Sequence, residues 1–140
     1  MRRTALSALL CAGIAALGQA SQLQPVHHPV ISEIRYRQHS GRNEEFVELY
    51  NPMPRAVDLS GWSLAYKKKT GGNWDVKVVF RRGQALKPGG YFLWGGTAVT
   101  VPPDSAETGA SGVGLGNSGG NVALRDPDGN DADRVAWEGG

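Results

Sequence analysis

The sequence predicts an all-β fold. Short runs that alternate apolar and polar residues recur along the chain, and clusters of Gly, Pro, Asn and Asp separate them at intervals of roughly 8–12 residues. After residue 20, no window keeps the 3.6-residue apolar period of an amphipathic helix. This combination is typical of a β-sandwich or a β-barrel.

The alternating runs can be assigned in order along the chain. The predicted strands lie at residues 30–37, 45–51, 62–68, 74–81, 91–94, 99–101, 121–125 and 134–137. Strict alternation over 30–37 places Ile31 and Ile34 on opposite faces. The same rule over 74–81 places Trp74, Val76, Val78 and Phe80 on one face. Residues 70–73, 84–90 and 126–130 contain Gly, Pro, Asn or Asp in the patterns typical of turns.

Three tryptophans are in phase with these strands. We predict that Trp62, Trp94 and Trp137 fill the core, because each lies on the apolar side of its strand. An exposed row of aromatic side chains would instead indicate carbohydrate binding.

The first 20 residues predict a secretory signal peptide. A basic start with Arg2 and Arg3 precedes an uncharged apolar stretch over residues 5–17, and Gly18 and Ala20 supply the small residues that a signal peptidase recognises. The stretch is shorter than the roughly 20 apolar residues of a membrane-spanning helix. We therefore expect a protein that is secreted, periplasmic or held at the cell surface. Residues 21–29 would form a short leader, and the mature chain would have no transmembrane segment.

Cleavage of this peptide changes both the cysteine content and the charge. It removes Cys11, the only cysteine, so the mature protein would fold without a disulfide. It also removes Arg2 and Arg3, which takes the formal net charge from +2 to zero. The basic character of the chain therefore belongs to the targeting segment and does not predict nucleic-acid binding.

Charge is unevenly distributed along the mature chain. Residues 55–87 hold eight basic and two acidic residues, whereas residues 104–140 hold seven acidic and two basic residues. Such segregation can produce a dipolar surface that steers a charged partner. It also arises where neighbouring strands pair opposite charges across a sheet.

Seven motifs resemble the lamin tail domain family and occur in the order found in that family. They are VISEI at 30–34, EFVELYNP at 45–52, VDLSGWSL at 57–64, LKPGGYFL at 86–93, GLGNSGGNVAL at 114–124, DPDG at 126–129 and DRVAW at 133–137. Together they cover about residues 29–138, which is nearly all of the mature chain.

The resemblance implies an immunoglobulin-like β-sandwich over residues 29–138. With its predicted signal peptide, the chain is similar to the secreted bacterial members of the family. The resemblance implies a non-enzymatic interaction or scaffold module whose partner is a protein or a component of the cell envelope. Bacterial relatives often carry the domain beside hydrolase modules, so an accessory role to a secreted hydrolase or nuclease is an alternative.

One cluster combines basic and aromatic residues. It consists of Lys67, Lys68, Lys69, Trp74, Arg81 and Arg82. Such a cluster could bind an anionic polymer, either a glycan or DNA, with the lysines on the charged groups and the indole as a stacking platform. The alternative is a solvated strand end and hairpin tip, where lysines discourage edge-to-edge aggregation.

The acidic segment 126–133 is a weak candidate for calcium binding. Asp126, Asp128 and Asp133 supply the carboxylate oxygens that Ca²⁺ prefers, but the glycine and the terminal acid of an EF-hand loop are not at the required spacing. A hairpin turn explains the same Pro-Asp-Gly segment without a metal.

The glycine-rich segment GLGNSGG at 114–120 has the composition of a phosphate-binding loop but not its context. A dinucleotide fingerprint opens a helix after a strand, and a P-loop ends in Gly-Lys-Ser or Gly-Lys-Thr. Neither feature is present, so the glycines indicate a tight corner.

Candidate catalytic residues are scarce. The histidines are His27, His28 and His39, and two of them fall in the predicted leader. No serine nucleophile elbow, His-Glu-x-x-His helix or Cys-x-x-Cys pair occurs. Glu45 and Glu48 are three residues apart and would point to opposite faces of a strand. We therefore predict no enzymatic activity and no cofactor.

Overall fold

The computed structural model describes residues 25–37, 43–107 and 113–138. Within these ranges the chain forms ten strands and no helix, which confirms the predicted all-β class. The strands are β1 Val30–Arg35, β2 Phe46–Tyr50, β3 Val57–Asp58, β4 Ser63–Lys68, β5 Asp75–Val79, β6 Ala85–Leu86, β7 Tyr91–Gly96, β8 Ser105–Glu107, β9 Gly119–Arg125 and β10 Asp131–Glu138. The predicted signal peptide, residues 1–20, lies outside the described residues.

Two four-stranded sheets form an immunoglobulin-like β-sandwich. The first sheet has the strand order β1-β2-β7-β8 and the second has the order β10-β9-β4-β5. Neighbouring strands in both sheets are antiparallel, except that β7 and β8 are parallel. Strands β3 and β6 form a separate short ladder. In the described residues, no helical segment has the length and hydropathy needed to cross a bilayer.

Alternate residues of the two sheets fill the core. Val47 and Leu49 of β2 are fully buried, as are Leu64 of β4 and Leu124 of β9. Burying one such side chain contributes about 1.5–3 kcal/mol to stability, so this layer supplies most of the driving force for folding. Trp94 is also buried, whereas Trp62 and Trp137 are partly buried and pack against the same cluster. The predicted core role of these three tryptophans is thus confirmed.

One side of the sandwich is closed by contacts between β1 and β10. The backbone N–H of Ile31 donates to Oδ2 of Asp133 at 2.7 Å. Farther along, the rings of Tyr36 and Trp137 stack with centroids 5.3 Å apart. Because β1 and β10 are edge strands of different sheets, these contacts join the two sheets along one side. The edges formed by β5 and β8 lie on the other side.

A β-bulge in β1 overturns the strict alternation predicted for residues 30–37. Ile31 pairs with Leu49 and Glu33 pairs with Glu48, so Ser32 is the additional residue. The bulge shifts the phase of the strand by one position. Ile34 therefore packs against the core together with Ile31, although alternation places them on opposite faces.

A second bulge overturns the phase predicted for residues 74–81. Leu64 pairs with Val78 and the next residue of β4 pairs with Val76, so Lys77 is the additional residue. Val78 and Phe80 therefore pack in the core, whereas Val76 points outward with half of its surface exposed. Of the four residues predicted to share one face, Val78 and Phe80 do so, and the prediction is wrong for Trp74 and Val76.

The strand predicted at 99–101 is also absent from its expected position. Residues 97–98 form a turn and residues 100–101 a bend, and the strand lies later, at β8. Pro102 and Pro103 separate the two segments and cannot donate ladder hydrogen bonds. β8 then pairs in parallel with the end of β7, which itself extends two residues beyond the predicted 91–94.

Candidate functional site

The structure divides the predicted basic and aromatic cluster between two ends of the β4–β5 hairpin. Lys67, Lys68 and Lys69 lie at the end of β4, near the turn that leads to Trp74. Arg81 and Arg82 follow β5 at its opposite end, in a turn where the N–H of Arg81 donates to Gln84. Six residues of nearly extended chain lie between Trp74 and Arg81, which corresponds to a separation of roughly 20 Å. The six residues do not form one patch, and their binding of an anionic polymer stays a prediction.

Trp74 lies among arginines that the sequence analysis did not select. The guanidinium carbons of Arg125 and Arg134 are each 5.0 Å from the indole centroid, within the range of a cation–π contact. Both arginines form ion pairs with Asp131, and Arg125 Nε is 2.8 Å from its Oδ1. These hydrogen bonds, first from Arg125 and then from Arg134, hold the pKa of Asp131 below its ordinary value.

Two buried alanines show that large side chains cover the outer face of the second sheet. Ala65 and Ala123 pair directly across β4 and β9. Their neighbours along each strand face the core, so the two methyl groups point outward, yet both residues are fully buried. Large side chains must therefore lie across them. Trp74, flanked by its two arginines, occupies this face.

The remaining charges of this region are partly paired. Nζ of Lys69 is 3.1 Å from Oε1 of Glu138, which joins the hairpin tip to the end of β10. Nζ of Lys77 is 2.8 Å from Oδ2 of Asp75. The Lys69–Glu138 pair joins the basic segment 55–87 to the acidic segment 104–140 across β9, whereas Lys77 and Asp75 lie on the same strand, so neither pair joins neighbouring strands. Such exposed pairs each contribute at most about 1 kcal/mol.

We use the name basic face for the outward residues of the second sheet. Val76 and Val79 belong to it because they pair with Ala65 and Ser63, which point away from the core. Both valines are exposed, by 50% and 56%. The basic face is defined by Lys67, Trp74, Val76, Val79, Arg125 and Arg134. It combines three cations with exposed apolar surface.

The structure does not assemble the three aspartates proposed for calcium. Asp126 caps the β9–β10 turn, where its Oδ1 accepts the N–H groups of Asp128 and Asn130 at 3.0 and 2.8 Å. Hydrogen bonds from Asn130 lower the pKa of Asp126. Asp133 accepts the backbone N–H of Ile31 instead. Within the described residues, no three acids, histidines or cysteines are grouped so that they could hold a metal ion.

The glycine-rich loop binds a carboxylate of this same chain. Glu45 is 99% buried, and its Oε2 accepts the N–H groups of Gly114 and Leu115 at 2.7 and 3.2 Å. The next amide, of Gly116, donates to the hydroxyl of Tyr66 at 3.1 Å. A row of backbone donors of the kind that cradles an anion is therefore satisfied internally.

Glycine is required in this loop because an aromatic ring lies directly on its backbone. A Cβ at Gly116 would clash with the hydroxyl of Tyr66, and one at Gly120 would clash with the ring of the same tyrosine. Gly119 has a φ of 117°, which side chains rarely tolerate. Nε1 of Trp137 donates to the carbonyl of Gly116 at 3.1 Å. The predicted tight corner is confirmed, with close packing as a further reason for its glycines.

Glu45 and Glu48 point to opposite faces of the first sheet, as predicted. Glu45 precedes β2 and lies on its inner side, whereas Glu48 lies on the outer side and accepts a hydrogen bond from the hydroxyl of Ser32 at 2.7 Å. Neither carboxylate is available to the other for proton transfer. The sequence did not indicate the buried role of Glu45, because its partners are nearly 70 residues away along the chain.

Asn51 performs a similar structural task at the other end of β2. It is fully buried, and its Nδ2 lies 2.8 Å from the carbonyl of Arg55, 3.2 Å from that of Leu86 and 3.1 Å from that of Lys87. Its Oδ1 accepts the N–H of Met53 at 3.0 Å. One amide thus joins the corner after β2 to the corner before β7. The Asn-Pro stop of the sequence is a buried hydrogen-bond hub.

A groove on the outer face of the first sheet was not predicted. It has a volume of about 480 Å³ and lies between the sheet and the segment 99–104. Phe46, Tyr91 and Leu93 line it on the sheet side, and Val99, Val101 and Pro102 line it on the loop side. Tyr91 and Val101 are 63% and 65% exposed, so this apolar surface is open to solvent.

Acidic residues surround this groove. Glu33, Glu48 and Asp104 line it together with one cation, Arg35, which is paired with Glu44 at 3.0 Å. Asp104 also accepts the backbone N–H of Leu93 at 2.8 Å and so fixes the loop against β7. We call this site the acidic groove. Its charges leave it net negative, opposite in sign to the basic face.

The sequence contained a signal for the acidic groove. In EFVELY at 45–50, the inward residues Val47 and Leu49 alternate with outward Phe46 and Tyr50, which are also apolar or aromatic. An antiparallel strand with one solvated face normally carries polar residues there. The rings of Tyr50 and Tyr91 lie 5.0 Å apart on this outer face. Apolar residues in both phases of one strand therefore indicated a second binding surface.

Comparison with known proteins identifies one family for this chain. No curated protein matches the chain in sequence. Among solved structures, the archaellum periplasmic stator protein FlaG from Sulfolobus acidocaldarius is similar to 79% of this chain and 98% of its own, with 11% identity and a TM-score of 0.44. The family model described as Lamin Tail Domain matches residues 22–139. The chain therefore belongs to the lamin tail domain family.

Proposed function

We propose that this domain is a non-enzymatic interaction module that binds a protein segment in the acidic groove. The partner segment presents an apolar side chain flanked by lysine or arginine. The observation that carries the proposal is an exposed apolar floor, with Tyr91 and Val101 more than 60% exposed, inside a rim that is net negative. Monomeric proteins seldom leave contiguous apolar surface exposed unless it binds something.

The lining favours a polypeptide over a carbohydrate. Sugar-binding sites present flat aromatic platforms with many polar donors and acceptors around them, whereas Leu93, Val99, Val101 and Pro102 offer branched apolar surface. The rings of Tyr50 and Tyr91 are tilted by 37° and do not make one flat platform. An aliphatic or aromatic side chain fits such surface, and the carboxylates of Glu33 and Glu48 favour a cation beside it.

Several polar side chains form hydrogen bonds or ion pairs with groups of the same chain, which supports a binding role over a catalytic one. Glu45 and Asn51 are buried, and their hydrogen bonds are directed to backbone groups of the same chain. Asp126 and Asp131 are engaged in a turn and in ion pairs. A catalytic acid or base must reach a substrate, and these groups face the protein itself.

A fluorescence titration tests the proposal. The probe is a labelled hexapeptide with two leucines between two pairs of lysines, and the matched probe has glutamates in place of the lysines. The lysine peptide should bind and the glutamate peptide should bind at least tenfold more weakly, because the rim repels it. Affinity should fall as salt is raised, since an exposed charged rim is screened.

Two matched variants locate the site. Val101→Ser removes exposed apolar surface from the acidic groove, and Val79→Ser removes a comparably exposed valine from the opposite sheet. The first should weaken binding of the lysine peptide about three- to tenfold, and the second should leave it unchanged. Equal effects of the two substitutions, or no binding of the lysine peptide at all, would contradict the proposal.

A second candidate is binding of an anionic polymer at the hairpin tip. Its support is the proximity of Lys67, Lys68 and Lys69 to Trp74 at one end of the β4–β5 hairpin. Retention on immobilised heparin should fall when the three lysines become glutamates, because the attraction is electrostatic. The double change Arg81→Glu and Arg82→Glu is the control, since those residues lie at the far end of the hairpin. Unchanged retention after the triple substitution would exclude this candidate.

Export is part of the proposal. A signal peptide over residues 1–20 would deliver the domain outside the cytoplasm, where its disulfide-free core is compatible with an oxidising compartment. N-terminal sequencing of the protein purified from a secreting host should begin at Ser21. A chain that keeps Met1 and stays in the cytoplasm would contradict this step.

A further inference from the structure

We propose that a second copy of the chain is a partner of the acidic groove, and that it docks through its basic face. This inference rests on the proposed binding role of the acidic groove and names one occupant for it. The association is head to tail: the groove of one molecule receives the outer surface of the second sheet of the next.

Both outer faces of the sandwich expose large apolar side chains. In the described residues, five large apolar side chains are strongly exposed: Val26, Val76, Val79, Tyr91 and Val101. Two of them belong to the basic face and two to the acidic groove. Four of these five side chains therefore lie on the two outer faces of the sandwich. The fifth, Val26, lies in the segment before β1.

The basic face and the acidic groove also carry charges of opposite sign. Lys67, Arg125 and Arg134 lie on the basic face. Asp131 pairs with both arginines and offsets one of these three charges, so the face stays net positive. Glu33 and Glu48 supply negative charge around the groove. Apolar surface framed by cations thus meets apolar surface framed by carboxylates, which is the complementarity that specific interfaces use.

The same charges exclude the symmetric arrangements. A twofold contact between two acidic grooves would bring carboxylates together, and one between two basic faces would bring Arg134 against its copy. Juxtaposed like charges disfavour such an interface. A contact between unlike faces has no such cost, so the interface is heterologous.

The sandwich geometry determines what such a contact builds. The outer faces of the two packed sheets point in opposite directions, so each molecule can offer its groove to one neighbour and its basic face to another. A heterologous contact that does not close into a ring adds copies without limit. We therefore expect a reversible linear assembly that grows with protein concentration.

Sedimentation velocity over a concentration series tests the inference. The wild-type protein should show a sedimentation coefficient that rises past that of a dimer as the concentration increases, and added salt should reverse the rise. Glu33→Lys in the groove and Val76→Glu on the basic face should each weaken self-association at least tenfold. Both positions are exposed, so both variants should keep the wild-type melting temperature.

A mixing experiment distinguishes this geometry from others. The Glu33→Lys protein keeps an intact basic face, and the Val76→Glu protein keeps an intact groove. Their mixture should form a heterodimer through the one native interface that remains, and it should grow no further. Val26→Glu is the matched control, because Val26 is exposed outside both surfaces and its substitution should leave assembly unchanged.

The outcomes separate the inference from the proposed function. A wild-type protein that binds the lysine peptide but stays monomeric throughout the concentration series would overturn self-association and leave the groove as a binding site. A protein that stops at a dimer, or variants whose mixture stays monomeric, would overturn the head-to-tail geometry. A protein that neither binds the peptide nor associates would overturn both.

Discussion

The substitution Asn51→Ala should be among the most destabilising single changes in this domain. The Asn51 side chain makes four contacts at hydrogen-bonding distance, and those with the carbonyl of Leu86 and the N–H of Met53 are fully enclosed. An enclosed group left without a partner costs about 1–3 kcal/mol. The carbonyls of Arg55 and Lys87 are partly accessible to water and should cost less.

These contributions sum to a loss of about 3–5 kcal/mol, counting two enclosed groups and a smaller share for the other two. The magnitude is a large part of the 5–15 kcal/mol that stabilises a typical domain. Asn51→Asp should cost more, because a carboxylate would then face carbonyl oxygens instead of donating to them.

Urea unfolding followed by tryptophan fluorescence measures the effect. With an m-value of about 1.5 kcal/mol per molar urea, a loss of 3 kcal/mol lowers the midpoint by about 2 M. Asn130→Ala is the matched control. The Asn130 amide is exposed and donates to Asp126 at 3.1 Å, so its loss should cost less than about 1 kcal/mol. If Asn51→Ala costs no more than Asn130→Ala, the buried amide does not stabilise the two corners as argued.

Three further predictions concern the glycine-rich loop and the arginine cluster. Glu45→Gln should cost about 1–3 kcal/mol in the same urea assay and speed hydrogen exchange of the loop amides, because a neutral amide replaces the charged acceptor of two backbone donors. Glu48→Gln is the exposed control. Equal costs of the two substitutions would refute the stabilising role of the Glu45 carboxylate. Gly120→Ala should lower stability by about 1–3 kcal/mol, since its methyl group overlaps the Tyr66 ring, and an unchanged midpoint would show that the ring moves freely. Asp131 has a lowered pKa, so its ion pairs stabilise the fold above about pH 4 and are lost as the pH falls through the lowered value. Asp131→Asn should therefore lower the melting temperature at pH 7 and have progressively less effect as the solution is acidified. An equal effect at neutral and at acidic pH would contradict the conclusion that the ion pairs of Asp131 stabilise the fold.

Strand positions could be predicted from this sequence because alternation and turn residues are local signals. The predicted runs at 45–51 and 62–68 agree closely with β2 and β4, and the turn at 126–130 lies between β9 and β10. A bulge has no such signal. Lys77 interrupts a regular-looking alternation of valines, and nothing in its composition shows that the partner strand skips it. Alternation therefore predicts the wrong face of the sheet for Trp74.

Beyond the outward apolar residues of β2, the composition of the binding surfaces could not be predicted, because their residues come from segments far apart in the sequence. The contact of Trp74 with Arg125 and Arg134 requires the pairing of β4 with β9, and that of Glu45 with its loop requires partners nearly 70 residues away. Sequence proximity had instead suggested Arg81 and Arg82 as partners of Trp74. The acidic groove further depends on how the segment 99–104 folds back on the first sheet, which a Pro-containing loop does not reveal.

The bulge at Lys77 changes which residues of β5 face the core. Beyond it, Val78 and Phe80 must fit a close-packed interior, where a change of one methylene is felt. Before it, Trp74 and Val76 lie on the outer face of the second sheet, where Trp74 covers two buried alanines and Val76 is half exposed. Substitutions there can alter what the second sheet recognises while the interior volume stays constant. One additional lysine thus turns Val76, which would otherwise share a face with Val78, toward the surface that the second sheet offers for recognition.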